Sequence, residues 1–251
     1  MVVIGITSGK GGVGKTTVVS NLATALSSVF KRDVIVLDCN VASSHIRLHF
    51  GMYEDFRKTL LDVIKGKAEL SEAIYQNPFL GVKIVPSPAG LTSNVNLEKL
   101  KDLVWKRARS EYDFVIIDGP PGFGREITDI MKASDKVLVV TTPTIPAISD
   151  AIKIVGLARK MKKRVYVVLN RVKKEKYELK PEIVEKTLES KIAMIIPEDK
   201  MVPESIAAGV PVVIYKPGSK ASIALKKLAA FLIGKEYKPS ITDRIKWFFG
   251  F

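Results

Sequence analysis

The chain has a single cysteine, and that shortage excludes two kinds of protein. With only Cys39, it cannot form an internal disulfide or a metal site made of several of its own cysteines. Long apolar runs are also lacking, since none approaches the roughly 18 residues that span a bilayer. An apolar, strand-like run begins at Val2, so no signal peptide is visible and we expect a cytoplasmic protein.

Acidic residues are scarce relative to basic ones. The sequence has 26 Asp and Glu against 40 Lys and Arg, for a formal net charge of +14. Such an excess favours an anionic partner, either nucleic acid or lipid headgroups, although a lysine-rich solubilising surface has the same composition. One basic concentration runs from Lys153 to Lys176 and could follow the phosphates of DNA. No recognition-helix signature, zinc site or stacking motif accompanies it.

Apolar segments alternate with helical patterns along the chain. The predicted strands are Val2–Thr7, Val34–Asp38, Val82–Pro86, Phe114–Asp118, Lys136–Thr141, Val165–Asn170 and Ile192–Ile196. The predicted helices are Lys15–Phe30, Leu97–Arg109, Ile127–Ala133, Ile148–Met161, Pro181–Leu188 and Ser219–Ile233. Strands that are apolar throughout are typical of parallel sheets with helices on both faces. We therefore predict an α/β fold, a doubly wound and mostly parallel sheet flanked by helices, in one domain over residues 1–235.

A glycine-rich segment follows the first predicted strand. It reads Gly9-Lys10-Gly11-Gly12-Val13-Gly14-Lys15-Thr16-Thr17 and fits the phosphate-binding P-loop pattern. In such a loop, backbone N–H groups surround the phosphates, a lysine contacts the β- and γ-phosphates, and a hydroxyl binds Mg²⁺. Lys15 and Thr16 fill these two roles, which leaves Lys10 as a second cation. We interpret Lys10 as the sign of a dimer that is controlled by nucleotide.

Two later strands end in aspartate. Asp38 and Asp118 each follow four apolar residues. A carboxylate at such a position orients water around Mg²⁺ in P-loop NTPases, whereas an ordinary capping aspartate is the alternative. Ligands of parallel sheets bind at the carboxyl ends of the strands, so the P-loop, both aspartates and Asn170 should converge. The Gly119–Gly124 segment combines prolines with glycines, as expected of a loop that responds to a γ-phosphate.

Together these motifs resemble the MinD/ParA family of deviant Walker A ATPases, and within it the MinD type of archaea and bacteria. The resemblance covers about residues 1–235 and is carried by the P-loop, Val36-Leu37-Asp38-Cys39-Asn40, Ile117-Asp118-Gly119-Pro120-Pro121-Gly122, Val168-Leu169-Asn170-Arg171 and Ile196-Pro197-Glu198-Asp199. It implies ATP or ADP with Mg²⁺ as ligands and a homodimer with ATP sandwiched between its protomers. It also implies an activating or cargo protein, which the sequence does not identify.

The resemblance also assigns roles to single residues. Lys10 would reach across the dimer to the phosphates of the other protomer, as a cation supplied where charge develops. Thr16 would bind Mg²⁺ directly, and Asp38 and Asp118 would hold its water shell. The implied catalytic residues are Lys10, Lys15, Asn40 and Asp118. The implied nucleotide contacts are Gly9, Lys10, Gly11, Gly12, Val13, Gly14, Lys15, Thr16 and Thr17 in the loop and Asn170, Arg171, Pro197, Glu198 and Asp199 around the adenine.

One position departs from the family pattern. The family usually has aspartate two residues after the position of Asp38, where this chain has Asn40. An amide can hold a water molecule but cannot accept its proton, so the loss would cost on the order of 10²–10⁴ in rate if the aspartate acts as a base. If positioning dominates phosphoryl transfer, the loss is smaller. We expect ATP binding with slow hydrolysis.

Both histidines of the chain lie shortly after Asn40. His45 and His49 have a spacing that can place metal ligands on one helical face. No third ligand is evident, and Leu48 and Phe50 favour packing instead.

Residues 236–251 form a candidate membrane-targeting tail. Its apolar members are Ile241, Ile245, Trp247, Phe248, Phe249 and Phe251, and Lys238, Arg244 and Lys246 add positive charge. Basic residues with terminal aromatics are typical of amphipathic helices that lie in a membrane interface. The resemblance implies ATP-dependent, peripheral association with the inner face of the cell membrane, through an anionic surface. A tail folded back onto the domain is the alternative.

Two other functions stay open. A ParA-like ATPase would bind DNA non-specifically in chromosome or plasmid partitioning. A scaffold or metallochaperone-type ATPase, like the Mrp relatives, would be expected to carry cysteines for a metal or an iron–sulfur cluster. Cys39 alone argues against the second function, unless a dimer pairs two copies of it.

Overall fold

A computed structural model describes residues 1–41, 45–77, 80–88, 96–108 and 110–239. Its strands are β1 (Val2–Ser8), β2 (Val34–Asp38), β3 (Tyr75–Gln76), β4 (Lys83–Val85), β5 (Phe114–Pro121), β6 (Lys136–Thr141), β7 (Arg164–Val172) and β8 (Ile192–Pro197). Its α-helices are α1 (Lys15–Thr24), α2 (Ile46–His49), α3 (Leu60–Ile64), α4 (Leu100–Leu103), α5 (Arg125–Ala133), α6 (Ile145–Lys160), α7 (Pro181–Leu188), α8 (Met201–Ala207), α9 (Val212–Tyr215) and α10 (Lys220–Leu232).

The strands form one sheet in the order β3-β4-β2-β5-β1-β6-β7-β8. Every neighbouring pair is parallel except β3 with β4. The parallel strands therefore end together at one edge of the sheet, called here the carboxyl edge, and begin together at the opposite, amino edge. This arrangement confirms the predicted doubly wound, mostly parallel fold.

Helices cover both faces of the sheet, which is why its strands are apolar throughout. Ile4 and Ile6 of β1 pack with Leu22 of α1 and Leu228 of α10 on one face. Val3 belongs to a second core on the other face, which includes residues of α4 and α5. A third core joins α5, α6 and α7 to β6 and β7 on that same side. No helix within the described ranges is long and apolar enough to cross a bilayer.

The strand predictions agree with the structure to within a few residues, and the helix predictions needed more correction. The helix predicted over Lys15–Phe30 is α-helical to Thr24 and π-helical over Ala25–Val29. The one predicted over Leu97–Arg109 is α4 followed by a π-helical segment, Val104–Ala108. The elements missed by the prediction are β3, α2, α3, α8, α9 and a 3₁₀-helix at Leu70–Ala73, which are too short to show a hydrophobic period.

Candidate nucleotide-binding site

The P-loop connects β1 to α1 at the carboxyl edge. Gly12 and Gly14 have φ angles of 78° and 85°, in the left-handed region that favours glycine. Gly9 is required by close packing, since a Cβ there would lie 2.6 Å from the Cβ and the carbonyl carbon of Asp150 in α6. The loop therefore needs Gly12 and Gly14 for its backbone conformation and Gly9 for its close packing against α6.

Lys15 and Thr16 meet at one carboxylate. The Lys15 Nζ lies 2.5 Å from Asp118 Oδ1, and the Thr16 hydroxyl donates to Asp118 Oδ2 at 3.0 Å. Asp118 comes from β5, next to β1, and is 1% exposed. Neighbouring parallel strands thus bring together residues that are about a hundred positions apart in the sequence. This agrees with the rule that ligand sites of parallel sheets lie at the carboxyl ends of the strands, called here the strand-end rule.

Asp38 lies on β2 directly opposite Asp118 in the strand register. It is fully buried, and its two oxygens accept hydrogen bonds from the Asn40 backbone N–H at 2.9 Å and from the Ser87 hydroxyl at 3.0 Å. Asn40, not Asp38, is among the residues that line the cleft beside the P-loop. Sequence reasoning missed Ser87, although its place just after β4 obeys the same strand-end rule.

The two histidines also line this cleft, together with Leu48. The His49 Nδ1 lies 3.3 Å from the Ser20 hydroxyl of α1. Burial lowers the pKa of His49 to about 4, so its ring is neutral near pH 7. His45 precedes α2 and is exposed. The described residues contain no group of three or more metal-ligating side chains, so the third ligand that a metal site needs is missing from them.

Cys39 lies between these polar residues and is 1% exposed. Burial raises the pKa of its thiol well above the ordinary value, and the charge of Asp38 raises it further. The side chain is therefore a small buried thiol, as its apolar strand predicts.

A second cleft adjoins the first, and Thr17, Arg171 and Ile206 line both. The predicted adenine residues all line it, and they are Asn170, Arg171, Pro197, Glu198 and Asp199. Val202, Pro203 and Leu225 form part of its apolar wall and were not predicted. Asn170 and Arg171 also hold the P-loop, by donating to the carbonyl oxygens of Val13 at 2.8 Å and Gly12 at 3.0 Å.

Comparisons with known proteins agree on one family. A family model described as an AAA domain matches residues 1–174. An uncharacterised ATP-binding protein of Methanocaldococcus jannaschii is 37% identical over 246 residues, which cover 97% of this chain and 92% of that protein. The septum site-determining protein MinD of Bacillus subtilis is 31% identical over 262 residues, with coverage of 98% and 97%. MinD of Pyrococcus horikoshii, solved in complex with Mg-ADP, superposes with a TM-score of 0.83 at 32% identity and covers 92% of this chain and 95% of its own.

The chain belongs to the MinD/ParA family of P-loop ATPases. That membership rests on nearly the full length of the chain, so the motifs of the family can be placed residue by residue in this structure. The P-loop, Asp38, Asp118 and Asn170 converge at the carboxyl edge as expected.

Two of the family's positions have environments that the sequence alone does not give. Both carboxylate oxygens of Asp199 accept backbone N–H groups, from Met201 at 3.0 Å and from Ala221 at 2.9 Å. Asp199 therefore holds the N-termini of α8 and α10 while it lines the adenine-side cleft. Lys10 is only partly buried and is not one of the described residues that line the phosphate cleft of its own chain.

The basic stretch from Lys153 to Lys176 is divided by the fold. Arg159, Lys160, Lys162, Lys163 and Arg164 lie at the amino edge, whereas Arg171, Lys173, Lys174 and Lys176 lie at the carboxyl edge. The two groups are separated by the length of β7, about 26 Å at the usual rise per residue. A single DNA-binding track over this stretch is thus not supported. The apolar tail residues Ile241, Ile245, Trp247, Phe248, Phe249 and Phe251 lie outside the described residues.

Proposed function

We propose that this protein is an ATP-dependent dimerising switch of the MinD type, which hydrolyses ATP slowly and associates peripherally with the membrane through its C-terminal tail. The observation that carries the proposal is the meeting of Lys15, Thr16 and Asp118 beneath the glycines of the P-loop. A role in spatial positioning or cell division follows from its MinD relatives.

The phosphate cleft fits a nucleotide with Mg²⁺. Loop N–H groups and the N-terminus of α1 suit phosphate, and Lys15 supplies a charge for the β- and γ-phosphates. The Thr16 hydroxyl and the Asp118 carboxylate are hard oxygen ligands of the kind that Mg²⁺ prefers. We infer that Thr16 binds the ion directly and that Asp118, with Asp38 behind it, orders its water. The metal would neutralise charge on the transferred phosphoryl group.

The neighbouring cleft fits the adenine base of the nucleotide. Pro197 and Glu198 line it, Asn170 and Arg171 line it on the side of the P-loop, and Val202, Pro203 and Leu225 form an apolar wall. We infer that adenine stacks in this wall and that Arg171, which lines both clefts, lies beside the bound nucleotide.

Dimerisation is supported by the surface next to the P-loop. Phe123 is 45% exposed, Ile145 is 69% exposed and Ile152 is 44% exposed, and α6 passes the loop at Gly9. Apolar side chains exposed together mark interaction sites. We infer that a second copy covers this surface when ATP is bound and that Lys10 then contacts the phosphates of that copy.

Hydrolysis should be slow because of Asn40. Water must attack the γ-phosphorus, break its bond to the ADP oxygen and lose a proton. Asn40 lines the cleft and can hold this water through its amide oxygen, but the amide cannot take the proton. The resulting long-lived ATP state suits a switch, and an activating protein would shorten it.

The Lys10→Ala substitution tests the proposal. We expect the variant to bind a non-hydrolysable ATP analogue within about threefold of the wild type, because Lys10 does not line its own cleft. Its ATP-dependent dimer should weaken by at least about 100-fold, since a buried charge-assisted contact is lost. Isothermal titration and sedimentation velocity measure the two quantities.

Lys173→Ala is the matched control, because it removes an exposed cation at the same edge outside the cleft. It should leave both quantities unchanged. Normal dimerisation of Lys10→Ala would refute the assigned role of the second lysine.

A further inference from the structure

The end of α10 fixes where the C-terminal tail leaves the domain. The Tyr237 ring packs edge-on against Phe30, with 6.2 Å between ring centroids, and the Lys226 Nζ lies 5.7 Å from the same ring. Six residues earlier, Phe231 packs edge-on against Tyr166 near the start of β7, at 5.3 Å. The chain therefore leaves the domain at the amino edge, away from the nucleotide cleft.

A group of exposed cations lies at the same amino edge of the sheet. We call it the exit face, and its members are Lys31, Lys162, Arg164, Lys191 and Lys235. Lys31 follows Phe30, Arg164 precedes Tyr166 by two residues on the same side of β7, and Lys235 precedes Tyr237 by two. In the part of the chain that the structure describes, none of the five forms an ion pair within 4.0 Å.

The carboxylates of the amino edge offset this charge only in part. Glu189 pairs with Arg159 and Glu236 pairs with Lys238, neither of which belongs to the five cations. The other carboxylates described at this edge are Asp33, Glu111, Asp113, Asp135 and Glu185. Burial and the charge of Arg164 lower the pKa of Lys136, which begins β6 opposite it. The dipole of a helix favours cations near its C-terminus, and several helices end at this edge. This effect does not explain Arg164 and Lys191, which lie at the starts of strands.

The short segment between Tyr237 and Ile241 keeps the apolar part of the tail close to the exit face. Ile241, the first apolar residue of the tail, comes only four residues after the anchored Tyr237, a span of at most about 14 Å. Electrostatic screening lengths are about 8 Å at physiological salt, and Lys and Arg side chains extend well beyond their backbone. A tail inserted at Ile241 would therefore hold the exit face within electrostatic reach of the lipid headgroups.

We propose that the exit face is a second membrane contact, which binds anionic lipid headgroups beside the inserted tail. The inference rests on the proposed membrane association. Lipid is favoured over DNA because the chain continues from this same edge into an apolar segment, and only a bilayer offers both an anionic surface and an apolar phase. The face then sets the anionic lipid content that the protein requires, while the tail supplies the apolar part of the binding.

The test is a triple charge reversal, Lys31→Glu with Arg164→Glu and Lys235→Glu, in the full-length protein. Its control is Lys173→Glu with Lys174→Glu and Lys176→Glu, which changes the net charge equally at the other end of β7. Co-sedimentation with phosphatidylcholine vesicles containing increasing phosphatidylglycerol, in ATP and Mg²⁺, measures binding. We expect the exit-face variant to bind roughly 10- to 100-fold more weakly at intermediate phosphatidylglycerol and the control to stay within about twofold. ATP binding by both variants verifies folding.

The outcomes distinguish the exit-face proposal from the proposal that the tail binds the membrane. If the wild type binds vesicles and both variants weaken equally, the exit face is overturned while membrane association stands. If the wild type does not bind vesicles in ATP, membrane association fails and the exit face fails with it. A loss confined to sedimentation with duplex DNA, with vesicle binding intact, would assign the face to nucleic acid and overturn the lipid proposal.

Discussion

Asn40 is the residue on which the rate of the proposed reaction depends. It is 5% exposed and follows the buried β2, and its backbone N–H is held by Asp38. The residue lines the phosphate cleft, where we propose that it holds the attacking water. In the proposed reaction, Asn40 would thus occupy the position of a general base, but its amide cannot accept a proton.

Asn40→Asp should therefore accelerate hydrolysis. The new carboxylate would stand near Asp38 and Asp118, and the repulsion between like charges raises its pKa and makes it a better base. We expect the single-turnover rate to rise by about 10²-fold, within the usual range for general-base catalysis. Asn40→Ala controls for the loss of the amide and should be slower than the wild type. An Asn40→Asp rate equal to that of the wild type would show that positioning, not proton transfer, limits the reaction.

At the level of elements, Asp199 joins the two helices beside the adenine-side cleft. Its carboxylate accepts the N–H groups of Met201, the first residue of α8, and of Ala221, the second residue of α10, and α10 then crosses to the amino edge. The same short loop after β8 therefore lines the cleft and positions the helix that ends at the tail.

Asp199→Ala should loosen both helix N-termini at once. Loss of a capping carboxylate costs about 0.5–2 kcal/mol in the free energy of unfolding, and the displaced loop should weaken ATP binding several-fold. Urea unfolding and nucleotide titration measure the two effects. Glu175→Ala is the control, because the Glu175 side chain is exposed and the residue lines neither cleft. Equal behaviour of the two variants would contradict the capping role.

At the scale of the whole molecule, the proposed function would link ATP and membrane binding through the number of tails. One short amphipathic tail would bind a membrane weakly, whereas two tails on one dimer would bind as a unit, with a gain of about 10²–10⁴ in apparent affinity. The nucleotide cleft and the point where α10 ends lie at opposite edges of the sheet, so we expect the coupling to work through dimerisation without direct contact between them.

Deletion of residues 240–251 tests this link. The truncated protein should dimerise with ATP as the wild type does but lose vesicle binding by at least about 100-fold. Full-length Lys10→Ala, which keeps the tail but should stay monomeric, is expected to lose vesicle binding as well. Vesicle co-sedimentation and sedimentation velocity on the same samples measure both properties. Strong vesicle binding by the full-length monomer would show that one tail is enough.

The sequence by itself determined the fold class and the phosphate site, because both depend on local patterns. Apolar strands alternating with helices specify a covered parallel sheet, and the P-loop spacing brings Lys15 and Thr16 to the end of β1. The strand-end rule then predicted that Asp118 would join them, as it does.

Only the tertiary structure decided how the remaining residues are used, because their partners are distant in sequence. It placed the Ser87 hydroxyl in hydrogen-bonding contact with Asp38, and it placed Asn40 in the lining of the cleft. It also showed that Asp199 accepts hydrogen bonds from two helices. It also divided the basic stretch between the two edges of the sheet, since the length of β7 lies between Arg164 and Arg171. Composition and spacing carry the chemistry of a site, whereas the packing of strands and helices chooses which side chains reach it.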